Sequence, residues 1–460
     1  MIRLFNAYFP TRTLLLTVTE VLLVTLAFVV AVVLWAGTAL DADIYLLYEN
    51  GLGRIGLVVG IFVVLMYYFD LYDSIVLSNR REVVTRLVGV LGSAFVALSV
   101  LYYAFPEISL VGTTLWLGVG IVAVTVPAWR KLFFVLNRSE RFSEQAILYG
   151  DGPLALPLMQ EIGNRAELGV RVVGFVGENT ETTAGVPRFD EDDLEEVVEQ
   201  RNVRRIVVTM GDRRGKLRLE QLLKLKTRGV YIQDGPEYYE SITGKIPLES
   251  LRLSWLVFSP GFHVRAALRL YKRAFSLILG SFAIVITSPI MLLAAIAIRL
   301  DSRGPAIFRQ KRVGEHGKLF TCYKFRSMYE GSEKVALTPA EHEDPRVTRV
   351  GKWLRRTRVD ELPQLFNIVK GDMAFVGPRP FVPEQEEECA ALIPFYRQRW
   401  LVKPGATGWA QINRGYNATL EDNREKLAYD LFYIKNVSFG LDLFIMFSTI
   451  KILLLGRGGR

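Results

Sequence analysis

Soft metal ligands are scarce in this chain. Its only cysteines are Cys322 and Cys389, and its only histidines are His263, His316 and His342. None stands near another at the spacing of a zinc site, and two distant cysteines do not make a disulfide framework. The expectation is a reducing compartment. No nucleic-acid-binding motif is present either, so the net charge of +9 does not by itself argue for DNA or RNA. The first apolar run is too long and lacks a small-residue cleavage site, so a cleaved signal peptide is not expected. Between Arg141 and Leu251 no tyrosine is followed four residues later by lysine. That argues against a nucleotide-sugar oxidoreductase or epimerase built on such a pair.

Apolar residues are abundant, at 50% of the 460. Four long runs come first, at 14–36, 55–71, 84–105 and 110–129. Most approach or exceed the ~20 residues that a helix needs to cross the hydrocarbon core. Arg3 and Arg12 flank the first. Arg80, Arg81 and Arg86 occupy the second connection, and Arg130, Lys131, Arg138 and Arg141 follow the fourth. The first connection holds Asp41, Asp43 and Glu49, with no base until Arg54, and the third holds Glu107 with no base. The positive-inside rule then puts both ends of this block in the cytoplasm.

A fifth run, 274–298, is basic at both ends and carries Ser288-Pro289 near its middle. Proline removes a backbone donor and kinks or breaks a helix at a cost of ~3 kcal/mol or more. Two readings stay open on length and charge: a kinked spanning helix, or one that bends and returns to the same face.

Between the fourth and fifth runs the pattern changes to strand and helix in alternation. Residues 145–178 read as strand, glycine turn, helix, strand. A helix at 191–200, a strand at 205–210, a helix at 216–228 and a strand at 230–233 follow. This predicts a parallel α/β sheet. Gly150, Gly152 and Ala155 form a G-x-G-x-x-A pattern. No acidic residue follows at the ~20-residue spacing of a dinucleotide fingerprint, since Glu178 comes later. Packing, assembly or regulation is the expected role.

The last third is basic and dense in motifs. "YKFRSM" supplies Lys324 and Arg326. "RTRVDELPQLFNIVKGDMAFVGPRP", preceded by Arg355, supplies Arg356, Arg358, Asp360, Glu361 and Arg379. "KPGATGWAQINRG" supplies Trp409, Gln411 and Asn413. Taken alone, Asp360-Glu361 ahead of Pro363 reads as a helix N-terminus, and the arginines read as a membrane-facing patch. Together they suit phosphoryl transfer. Arginine forks neutralise phosphate oxygens. Mg²⁺ takes one or two carboxylates plus phosphate oxygens. A carboxylate can also attack phosphorus itself.

These motifs, spread over residues 272–415, resemble those of the polyprenyl-phosphate glycosylphosphotransferases. Those are bacterial sugar transferases that initiate exopolysaccharide and O-antigen assembly. The N-terminal half resembles their long, multi-pass form. The resemblance implies a four-helix transmembrane block (1–130), a Rossmann-like α/β domain (131–258), and an α-rich membrane-associated catalytic domain with a re-entrant helix (259–460). It implies transfer of a hexose 1-phosphate from a UDP-sugar to undecaprenyl phosphate, with release of UMP. Asp360 is then the nucleophile, and Glu361 with Asp360 holds Mg²⁺. Lys324, Arg326, Arg355, Arg379 and Gln411 contact substrate. Lys272-Arg273 and Ser288-Pro289 mark the start and the break of the re-entrant helix. The implied setting is the bacterial inner membrane, with a homodimer and downstream glycosyltransferases as partners. A cytoplasmic donor favours the bend at Ser288-Pro289, which keeps Asp360 inside. The apolar stretch before Arg457 and Arg460 is expected to lie along the interface. Two rivals remain: direct attack by the lipid phosphate without an enzyme intermediate, and a non-catalytic scaffold or regulator of polysaccharide export.

Overall fold

The computed structural model describes all residues except 5, 74–79, 139–141, 178–185, 211–216, 252, 260, 263–265, 333–343, 415–418 and 455–460. Arg141, Glu178, His263, His342, Arg457 and Arg460 lie outside the described residues, as do the side chains of Arg80 and Arg138. The chain forms two compact units. One is Met1–Ile2 with Phe9–Tyr238, and the other is Arg3–Tyr8 with Tyr239–Arg460.

The first unit begins with four helices, Thr11–Ala36, Gly51–Tyr68, Arg80–Ala104 and Thr114–Arg138. Each is long and apolar enough to cross a membrane, as is a fifth helix in the second unit. Phe28, Val58, Phe62, Met66 and Leu98 fill the core between them, while Leu22, Leu26 and Leu34 point outward. An ion pair is buried in this apolar core. Arg130 Nη2 donates to Glu20 Oε2 at 2.8 Å, and its Nη1 donates to the Leu71 carbonyl at 2.8 Å. Arg130, counted above among the flanking cations, is therefore used inside the bundle. A cation facing Glu20 costs less there than one facing lipid.

A five-stranded, all-parallel sheet follows, in the spatial order Arg188–Phe189, Val170–Val176, Glu144–Tyr149, Val203–Val208, Tyr231–Asp234. The central strands bury Ile147, Tyr149, Phe175 and Ile206, as expected for a sheet covered on both faces. Helices Ala155–Asn164, Leu194–Gln200 and Leu219–Thr227 make the crossovers. Gly150 has a φ of +105°, and a β-carbon there would lie 2.1 Å from Met210 Cγ. The glycine makes the tight strand-to-helix turn that the sequence pattern predicted.

The second unit is organised around the helix Ala266–Asp301. The expected break at Ser288-Pro289 is not an interruption of helix: the backbone stays helical through both residues. Pro289 has no amide to offer the carbonyl of Val285. The hydroxyl of Ser288 donates to that carbonyl instead, at 2.7 Å. An antiparallel hairpin follows, Ile307–Val313 with Leu319–Phe325. Then come helices Arg349–Thr357 and Gln364–Lys370, and a short parallel pair, Ala374–Val376 with Gly405–Thr407. Helices Pro383–Leu392, Leu420–Asn436 and Phe439–Leu454 complete the unit. Residues from Tyr239 onward, placed with the α/β domain on sequence, pack here. Glu240 pairs with Lys435, and Lys245 pairs with Glu425. Trp409 Nε1 donates to the Gly244 carbonyl at 2.8 Å, and its ring stacks on Phe432.

Candidate active site

Asp360 and Glu361 lie on a single 3-10 turn, Val359–Glu361, between two helices. The upstream helix, Arg349–Thr357, is capped by Thr348, whose hydroxyl accepts from the Gly351 amide. It ends at Arg358, which adopts a left-handed φ of +59°. That position usually falls to glycine, and a side chain there costs about 1 kcal/mol. The reversal turns the chain sharply and brings both carboxylates toward the hairpin. The downstream helix starts only at Gln364, so the two acids are not its N-terminal turn, and a macrodipole does not account for them.

Cations from three elements converge on Glu361. Arg379 Nη2 donates to its Oε1 at 2.8 Å, from the Gly-Pro-Arg-Pro loop. Lys324 Nζ donates to the same oxygen at 3.1 Å, from the second hairpin strand. Arg358 Nη1 stands 3.6 Å away. Burial pushes the Glu361 carboxyl up, but the charges of Arg379, Lys324 and Arg358 overcome it and hold the group well below the ordinary range. Asp360 is in the opposite state. It is buried, and its side chain accepts no hydrogen bond from a described residue. Burial raises its pKa, helped by the neighbouring Glu361 and opposed by Lys324, Arg358 and Arg355. One carboxylate is locked by cations while its neighbour is bare and more basic.

The other expected site residues are distributed unevenly. Arg355 donates from Nε to Ser327 Oγ at 2.9 Å and acts on Asp360 through its charge. Arg326 does not reach the two carboxylates. Its guanidinium donates to the carbonyls of Arg303 and Ser302, at 2.6 and 2.8 Å, and to the Ser302 hydroxyl. It closes the C-terminal end of the long helix, where a cation meets free carbonyls. Gln411 donates weakly to the Ala406 carbonyl at 3.4 Å, and its buried Oε1 has no partner. Trp409 is buried and packed, while Asn413 is exposed, its Nδ2 donating to the Trp409 carbonyl at 2.8 Å. Lys272 and Arg273 are fasteners. The first meets Asp442 at 2.9 Å, and the second donates to the Ile368 carbonyl.

Arg358 was read from sequence only as part of a basic cluster, and its side chain joins the site because of the left-handed turn. Asn367 was missed. It accepts from the Tyr323 amide at 3.0 Å and donates to the Thr321 carbonyl at 2.7 Å, fixing the strand that carries Lys324. Gly377 and Gly405 close the floor. A β-carbon on Gly405 would lie 2.1 Å from the Gly377 nitrogen, so neither backbone could approach the other with a side chain present.

Among the described residues no group of three or more His, Cys, Asp or Glu could hold a metal. Asp360 and the second oxygen of Glu361 are the acidic donors at the turn. That set fits Mg²⁺, which binds through one or two carboxylates with phosphate and water as the remaining ligands.

Both units have counterparts among known proteins. The family described as bacterial sugar transferase matches residues 267–456. A CoA-binding domain family matches residues 67–230. A UDP-glucose:undecaprenyl-phosphate glucose-1-phosphate transferase of Xanthomonas campestris is 30% identical over 416 residues, covering 84% of this chain and 83% of that one. A UDP-N-acetylgalactosamine-undecaprenyl-phosphate N-acetylgalactosaminephosphotransferase of Aeromonas hydrophila is 43% identical over 228 residues, 48% of this chain and 52% of that one. A glucose-1-phosphate transferase of Escherichia coli is 45% identical over 184 residues, 40% of each chain. The match thus spans about half or less of the length of the last two relatives.

Proposed function

This chain belongs to the bacterial sugar transferase family of undecaprenyl-phosphate sugar phosphotransferases, and from that premise we propose that it transfers a hexose 1-phosphate from a UDP-sugar to undecaprenyl phosphate. The product is undecaprenyl-diphosphate-sugar, with UMP released, the first membrane step of exopolysaccharide or O-antigen synthesis. The observation that carries the reading is the contrast between bare Asp360 and cation-bound Glu361 on one turn.

In this scheme an oxygen of Asp360 attacks the sugar-bearing phosphorus of the donor. The bond from that phosphorus to the bridging oxygen breaks, and UMP leaves with the bridging oxygen. An oxygen of undecaprenyl phosphate then attacks the same phosphorus and releases the Asp360 carboxylate. Lys324, Arg358 and Arg379 neutralise the pyrophosphate so that an anionic nucleophile can approach it. Glu361 keeps these cations in place between turnovers. Mg²⁺, held by Asp360 and Glu361, would add charge neutralisation at the diphosphate. The bareness of Asp360 favours this two-step route over direct attack by the lipid.

The donor is cytoplasmic, so we place the catalytic unit and the α/β domain on the cytoplasmic side of the inner membrane. The long helix returns to that side through a bend at Ser288-Pro289. The support is the basic flanks at both of its ends and the backbone bond that Pro289 omits.

The test is UMP release from UDP-glucose, UDP-galactose and UDP-N-acetylgalactosamine by membranes holding the protein, with undecaprenyl phosphate and Mg²⁺. Sugar-³²P-labelled donor without lipid acceptor should leave label on the protein. Asp360→Asn should abolish both signals. Turnover without trapped label would point to direct attack. No release with any donor would favour a non-catalytic scaffold.

A further inference from the structure

Arg379 stands between two prolines, and this determines how its loop can be held. Pro378 and Pro380 have no amide hydrogen, so the loop has few donors with which to anchor itself. It is held through its carbonyls. Four consecutive ones are occupied: Pro378 O accepts from the Gly405 amide at 2.9 Å, and Arg379 O from Arg399 Nη2 at 2.9 Å. Pro380 O accepts from Arg312 Nη1 at 3.0 Å, and Phe381 O from the Val313 amide at 3.2 Å. Two of these donors are backbone amides of neighbouring strands. Arg399 alone is both a side chain and attached to Arg379 itself.

Arg399 is among the most enclosed cations in the unit. Its Nη1 donates to Glu386 Oε1 at 2.8 Å and to the Tyr396 hydroxyl at 2.7 Å, and its Nη2 also donates to Asp430 Oδ2 at 3.0 Å. The guanidinium lies over the rings of Phe381 and Tyr396. Glu386 is fixed in turn by Trp400 Nε1 at 2.8 Å. Glu386, Tyr396 and Asp430, from three different helical segments, thus converge on one fork, which passes their rigidity to Arg379. The side chain of Arg379 then leaves in the other direction, to Glu361. Lysine could satisfy the charge at 399 but could not span two carboxylates, a hydroxyl and a carbonyl in fixed directions.

We propose that Arg399 is a positioning residue for the transfer reaction, holding the Arg379 carbonyl so that the Arg379 guanidinium is preset for the donor's diphosphate. It touches no substrate and acts through Arg379. The proposal rests on the transferase reading above.

The test is a double-mutant cycle on the full-length protein in membranes. UMP release is measured for wild type, Arg399→Lys, Arg379→Ala and the double variant. Arg399→Lys should lower kcat/KM for the UDP-sugar about 30-fold in the wild-type background, and less than 3-fold once Arg379 is already alanine. Equal losses in both backgrounds, or wild-type rates in Arg399→Lys, overturn the proposal. Hydrogen–deuterium exchange provides an arm independent of activity. Peptides covering 377–382 should exchange faster in Arg399→Lys, while those covering the helix Arg349–Thr357, which shares no backbone bond with this loop among the described residues, stay unchanged. Unchanged exchange at 377–382 also overturns it. Should Arg399→Lys fail to accumulate, Asp430→Asn loosens the same fork and is carried through both readouts under the same criteria. If the wild type releases no UMP, the transferase reading fails, and the exchange arm still decides the clamp.

Discussion

Arg379 and Glu361 meet at 2.8 Å, and the arginine brings to that contact a side chain whose own backbone is held from behind. Charge-assisted bonds of this kind contribute ~1.5–3 kcal/mol each. Arg379→Met should therefore lower kcat/KM for the UDP-sugar by about 10²-fold, with Arg379→Lys recovering only part, because lysine lacks the fork. Steady-state UMP release at varied donor concentration checks this. Full recovery by lysine would show that only charge matters.

Arg358 carries strain and charge at once. Arg358→Gly relieves the left-handed conformation, worth about 1 kcal/mol, and removes a cation 3.6 Å from Glu361. The variant should melt at or slightly above the wild-type temperature in detergent and yet turn over about tenfold more slowly. A parallel fall in melting temperature and activity would mean that the residue is structural only.

Asp430 gives the catalytic unit a pH dependence of definite sign. Its burial pushes the carboxyl up to about 6, with Arg399 and Lys426 opposing and Glu386 reinforcing the rise. In the unfolded chain the group titrates near ~3.9. The folded state holds this proton more tightly. The stability gained is full below about pH 4 and is lost as the pH rises through about 6, amounting to at most about 3 kcal/mol. Melting temperatures at pH 5 and pH 7 should differ less in Asp430→Asn than in wild type. An identical difference in both would place the titrating group elsewhere.

The ion pair between Glu20 and Arg130 should show the asymmetry of buried charges. Glu20→Gln leaves a cation without its counter-charge and should cost ~3–5 kcal/mol, while Glu20→Met with Arg130→Met together should cost much less. Thermal unfolding in detergent distinguishes the two. A double variant no more stable than Glu20→Gln would deny that the pair is only a neutralising device.

Much of this could be read in the chain. The four N-terminal helices follow from unbroken apolar length, and the α/β sheet from period and glycine turns, because both are local signals. The clustering of Lys324 and Arg379 about Glu361 was expected from residue types that a phosphate site requires, whereas their roles were only implied by the resemblance. Direction was not legible. Arg326 is two residues beyond Lys324 but lies just past the end of the strand at Phe325, so Lys324 meets Glu361 while Arg326 meets Ser302 and Arg303. Which neighbour lies on which side depends on how the hairpin docks. The left-handed turn at Arg358 has no signal, since glycine is the usual marker. Arg399 looked like any basic residue near a tryptophan, and its partners Glu386 and Asp430 come from separate helices.

The bond from Ser288 to Val285 makes the long helix sensitive to its solvent. In water, a carbonyl left without an amide by proline finds another donor at once, and the serine is dispensable. In hydrocarbon no other donor exists, and an unsatisfied carbonyl costs several kcal/mol. The hydroxyl thus mends the backbone from within, so that this stretch of helix can be immersed without a companion helix at that point. A sequence with alanine at 288 would fold as readily in solution and become a poor guest in a bilayer. One oxygen atom sets how deep this proline can sit.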